Sequence, residues 1–114
     1  MRSTALLILL LPGCSLLDTS FYDDNESMLA VEVRYEVSKL ECEAPTTYRV
    51  KGSIDKLYLY TESKKSRDVH KLVTLMKETS DPLKDTMSST YCNLKKTVLE
   101  DQSANIAKAM MGRY

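Results

Sequence analysis

Three cysteines, Cys14, Cys42 and Cys92, constrain this 114-residue chain more than any other feature. A chain of this length makes one small domain, and such a domain buries too little apolar surface to rely on its core alone. Covalent cross-links therefore weigh heavily in its stability. In an oxidising compartment three is an awkward number, because one thiol is left over. What happens to Cys14 decides what the other two can do.

Arg2 forms a short basic stretch, and Ala5 to Leu11 is an unbroken apolar run of seven residues. A membrane-spanning helix needs about 20 such residues, so the run fits the apolar region of a secretory signal instead. Leu11-Pro12-Gly13-Cys14 follows. This resembles the bacterial lipobox, in which an aliphatic residue, two small residues and a cysteine mark the site of lipidation and cleavage. Pro12 occupies a position where Ala, Ser or Thr is usual, and it ends the apolar helix before the cut. The resemblance implies removal of residues 1–13 and a diacylglycerol on the thiol of Cys14. Its freed amine is then open to acylation, and several acyl chains anchor stably where one does not. Ser15 follows, where Asp is the inner-membrane retention signal of lipoproteins, so the resemblance implies outer-membrane localisation on the periplasmic face. The alternatives are an ordinary signal peptide, or a buried N-terminal helix with a core cysteine.

With Cys14 lipidated, Cys42 and Cys92 remain. They form one intramolecular disulfide, or they pair between chains and give a homodimer. Closing the loop of 50 positions between them within one chain stabilises the fold by about 4 kcal/mol in the chain-entropy description.

Residues 14–27 are polar and acidic, with Asp18, Asp23, Asp24 and Glu26, and read as a tether. Phe21 and Tyr22 within it can meet either the membrane interface or the domain. Residues 28–114 are expected to form a periplasmic helical domain. Between Met28 and Cys42 two periodicities compete. Val31, Val33, Tyr35 and Val37 alternate with polar residues as in a strand, whereas Leu29, Val33, Val37 and Leu40 make a helical stripe. The helical reading is preferred. Glu43 to Gly52 is a connection, with Ala44-Pro45 ending the element before it, and Ser53 is the expected N-cap of the next helix. Ile54, Leu57, Tyr58 and Thr61, then Val69, Leu72, Val73 and Met76, form stripes of one long helix or of two broken near Ser66. Asp81-Pro82 is a stop. From about Thr86 to Met111 a last helix carries Tyr91, Leu94, Val98 and Ile106 at helical spacing, with Gly112 just past its end. The expected fold is mainly α: a small antiparallel helical bundle stapled by one disulfide, after a signal peptide and a flexible tether.

The chemistry-bearing residues are sparse. Lys plus Arg and Asp plus Glu are 16 each, and loss of Arg2 leaves a net charge of about −1. That supplies no positive field for nucleic acid. The cluster Lys64-Lys65 with Arg67 reads as a solvated loop. His70 is the sole histidine and reads as a surface residue rather than a metal ligand. Asp23, Asp24 and Glu26 lack the glycine and spacing of a calcium loop. No serine lies in Gly-x-Ser-x-Gly, so an enzyme, a cofactor or a small-molecule substrate is not expected. Tyr35, Tyr48, Tyr58, Tyr60 and Tyr91 are expected to close the core edges with their hydroxyls reaching water. The apolar tail Ile106, Met110 and Met111 is the candidate protein-binding surface, with completion of the core as its alternative.

A short lipoprotein with Ser15 after the lipidated cysteine, two further cysteines and no enzyme motif resembles the outer-membrane spanin subunits of T-even-like tailed phages. The resemblance covers Leu11 to Cys14 and, loosely, the helical region from Leu40 to Met111. It implies pairing with an inner-membrane spanin subunit across the periplasm and disruption of the outer membrane during host lysis. Helix association between anchored partners can drive that without bond-breaking chemistry. Small helical outer-membrane lipoproteins also include secretion pilotins and phage lipoproteins that block a receptor against superinfection.

Overall fold

The computed structural model of the protein describes residues 23–64 and 67–111. These fold into four helices: α1 (Asp24–Lys39), α2 (Tyr48–Lys64), α3 (Arg67–Ser80) and α4 (Ser89–Met111). Each packs on its two neighbours around a square, α1 on α2 and α4, and α3 on α2 and α4, while the diagonal pairs stay apart. Short connections and this adjacency give an up-down-up-down antiparallel bundle. The mainly α, disulfide-stapled bundle expected from the sequence is the fold observed.

Asp23 is the N-cap of α1: its backbone is extended, and its side-chain oxygen accepts the N–H of Glu26 at 3.0 Å. Asp24 and Glu26 in the first turn and Lys39 in the last complement the helix dipole. α1 thus includes residues 24–27, read from the sequence as tether, and Glu26 among them is buried. Ala30, Val33, Val37 and Leu40 enter the core, with Leu29 packed beside them, so the helical periodicity prevails between Met28 and Cys42.

α2 begins at Tyr48 rather than at Ser53. The reason is a tertiary contact: the Asp85 carboxylate accepts both the N–H and the hydroxyl of Thr47 at 2.8 Å, and the Thr47 carbonyl opens the helix by accepting from Lys51. Ser53 therefore sits inside α2, where its buried hydroxyl donates to the carbonyl of Val50 at 2.8 Å. Ser80 and Ser103 treat Lys77 and Glu100 in the same way, at 3.1 and 2.9 Å. These local bonds let small polar residues occupy core positions without an unpaired hydroxyl.

The stretch from 48 to 80 is two helices, and they are antiparallel: Thr61 meets His70 and Asp55 meets Lys77. Ser66, the suggested break, lies outside the described residues, as does Gly112. α3 stops at Ser80, ahead of Asp81-Pro82. The connection that follows buries Leu83 completely, and Ser88 caps α4 by accepting the N–H of Tyr91 at 3.1 Å. The inward face of α4 is Cys92, Leu99, Ser103 and Ile106. Tyr91, Leu94 and Val98, expected on the apolar stripe with Ile106, lie on the exposed side. Both sets have helical spacing, and only packing against α1 and α3 selects the phase.

Cys42, just after α1, is joined to Cys92 in the first turn of α4, with Cα atoms 5.4 Å apart. Lys96, one turn further, donates to the carbonyls of Leu40 at 2.8 Å and Ser38 at 3.5 Å. A charged donor thus closes the C-terminus of α1 beside the disulfide. Replacing both cysteines, Cys42→Ala with Cys92→Ala, is expected to lower the unfolding free energy by about 2–4 kcal/mol, read from the urea midpoint. Gly52 lies in the interior of α2, and a Cβ built there meets nothing within 4 Å. Gly52→Ala is therefore expected to stabilise the bundle by about 0.5–1 kcal/mol, with a thermal midpoint several degrees higher.

Candidate functional site

Cys14 and the other residues of the expected leader and lipobox lie outside the described residues, so the structure is informative about the surfaces that follow them. Of the expected tail surface, Ile106 is 1% exposed and belongs to the core. Its position on the inward line of α4 with Cys92, Leu99 and Ser103 puts it between helices rather than on a free edge. Met110 is half-buried and packs against the core, and Met111 is exposed. The tail is therefore split between core completion and open surface, and truncation after Asn105 would remove a core side chain along with it.

Met111 does not stand alone. Ser27, Ala30, Val31 and Arg34 of α1 and Ala107, Met110 and Met111 of α4 line a shallow groove of about 260 Å³. On α1 an apolar line runs away from the core: Met28, Val31 and Tyr35 are 69, 57 and 57% exposed, and Met111 is 68% exposed. The steps of three and four along this line repeat those of a helix seam. Sequence periodicity contained the signal, because the strand-like alternation at 31–37 arises from a helix with apolar residues on both faces.

The other polar clusters serve the fold. At the end where α1 begins, the Asp23 carboxylate caps the helix, forms an ion pair with Lys64 of α2 and accepts from the Tyr60 hydroxyl at 2.9 Å. Partial burial pushes its pKa up. Lys64, the Glu26 N–H and Tyr60 outweigh that and hold it at about 2. The same contact, with burial leading, raises the Tyr60 hydroxyl. His70 is not a plain surface histidine: its ring is 4.8 Å from that of Tyr58, and its Nδ1 is 3.0 Å from the Thr61 hydroxyl. Lys77, its pKa raised by Asp55 and then Asp81, bridges these two carboxylates at 3.0 and 3.3 Å. Asp85 is held below the usual carboxylate range by the N–H and then the hydroxyl of Thr47.

Of the tyrosines, Tyr58 packs at the core edge as expected, whereas the Tyr60 hydroxyl is taken up by Asp23. Tyr35, Tyr48 and Tyr91 are exposed, with Lys39, Arg49 and Lys95 each 5.5 Å from the ring centre. Among the described residues no group of three or more His, Cys, Asp or Glu is placed to hold a metal, and no helix is long and apolar enough to cross a membrane.

The Asp23 cluster generates a pH dependence. Its carboxyl sits near 2 when folded, against an ordinary 3.8. Its contribution is thus fully present above 3.8 and is lost as pH falls through about 2. For a side chain only 16% exposed the difference amounts to about 2 kcal/mol. Asp23→Asn keeps a capping oxygen and loses the charge. The stability gap between the native protein and this variant should be level above pH 4 and close toward pH 2. A gap independent of pH would show that the ion pair contributes nothing.

No protein family, curated protein or solved structure matches this chain.

Proposed function

We propose that the chain is an exported lipoprotein, anchored at the outer membrane through Cys14, that acts as the outer-membrane subunit of a spanin pair. In this role it joins an inner-membrane spanin subunit across the periplasm and helps disrupt the outer membrane at host lysis. One observation carries the export half of this reading. The two cysteines that lipidation of Cys14 leaves over are joined in one bond, which resolves the odd cysteine count and suits an oxidising compartment. The lysis half rests on the resemblance of the lipobox-bearing, two-cysteine chain to spanin subunits. A helical bundle supports work by association rather than by bond-breaking chemistry.

Cys14→Ser is expected to leave an unprocessed precursor that takes up no labelled palmitate and fails to sediment with outer membranes. In phage-infected cells the same substitution should delay release of a periplasmic marker enzyme at the end of infection. Palmitate uptake by the variant would place the anchor elsewhere. Marker release on the normal schedule, with the variant confirmed as unprocessed, would sink the lysis role.

A further inference from the structure

The exposed apolar line on α1 lies on the element that the tether reaches first. Eight residues lie between Cys14 and Asp23, so the two are at most about 30 Å apart even when that stretch is fully extended. An anchored chain therefore holds the start of α1 close to the bilayer at all times. Met28, Val31 and Tyr35 begin one turn into that helix, and Met111 reaches the same end from α4.

The chemistry of the patch suits a lipid surface. Two methionines and a valine are apolar and adaptable, and Tyr35 offers a ring with a polar tip of the kind found at membrane interfaces. Arg34 lines the groove beside Val31 and borders the apolar surface with a long cation that can extend to headgroup phosphates. Of the nearest acids, Glu32 is already paired with Lys56 at 3.3 Å, and Asp24 is at the helix start.

Size selects among occupants. Four side chains fall far short of the roughly 20–30 residues per side of a stable protein interface. A weak patch suffices when its target is held next to it by a tether. Tyr91, Leu94 and Val98 repeat the spacing on α4, but at the disulfide end, remote from the tether.

We propose that the outer face of α1, with Met111 of α4, rests on the surface of the bilayer that carries the lipid anchor. This rests on the anchoring of Cys14 but not on the lysis role. Because the sequence contains no tryptophan, a single one reports its own surroundings. The processed chain, reconstituted in vesicles of phosphatidylethanolamine and phosphatidylglycerol with brominated acyl chains, is compared as Val31→Trp and Leu94→Trp. Both positions are exposed, and Met28→Trp serves should Val31→Trp misfold. Emission from positions 31 or 28 should be quenched roughly threefold or more relative to position 94, as for a helix face lying in the interface. Equal quenching at both positions overturns the proposal. So does shielding of position 31 from a water-soluble quencher without lipid in a protein that sediments as a dimer, which would assign the face to a second copy. Palmitate labelling of the same sample reads the anchor separately. Acylated protein without preferential quenching removes the surface and leaves the anchor. Unacylated protein that is quenched when vesicles are added supports the surface and removes the anchor.

Discussion

The bond between Cys42 and Cys92 fixes the end of α1 to the start of α4, and the rest of the bundle is organised around that closure. It joins the first described helix to the last, so α2 and α3 are held within a loop whose two ends cannot separate. Lys96 reinforces the same corner by donating to the terminal carbonyls of α1. Among the described residues the opposite end has no second cross-link. There α1 and α2 are joined by the Asp23 carboxylate, which serves a backbone N–H, an ammonium and a phenol at once. One end is closed by a disulfide and the other by a charge, so the two respond to different conditions. Reductant loosens the first, and acid loosens the second.

A small core tolerates this arrangement because its buried serines are self-sufficient. Ser53, Ser80 and Ser103 each return a hydroxyl hydrogen to the carbonyl three residues earlier. They demand no partner from a neighbouring helix. The large side chains, Ile54, Leu57, Met76, Leu83, Leu99 and Ile106, are left to fill the centre. Leu83 shows that the α3–α4 connection is part of the core, and Asp85 in that connection sets where α2 begins.

The sequence made the helical class, the stripes of α2 and α3, the stop at Asp81-Pro82 and the cysteine pair legible, because each follows from local periodicity or from simple counting. It failed where a distant contact decides. Nothing near Thr47 announces a helix start, since its partner lies 38 positions away. The phase of α4 was missed because two sets of residues are helically spaced and only the neighbours determine which set turns inward. Ile106 went from candidate surface to core for that reason. The conflict between strand and helix at 31–37 was informative in itself. Val33 and Val37 face the core while Val31 and Tyr35 face away, and an apolar residue on each side of a helix mimics alternation.

That second apolar side is the feature that core formation does not explain. Asp23, His70, Lys77 and Asp85, the groups from which chemistry might have been built, are each engaged in holding helices or connections together. Burial of Val33 and Val37 would be equally well served by polar residues at 28, 31 and 35, and solubility would favour them. The apolar line begins one turn into α1, is continued by Met111 of α4 and is bordered by Arg34. Folding alone gives no reason for that placement. A surface held beside a bilayer by a short tether gives one, since even a weak apolar contact is then made at high effective concentration.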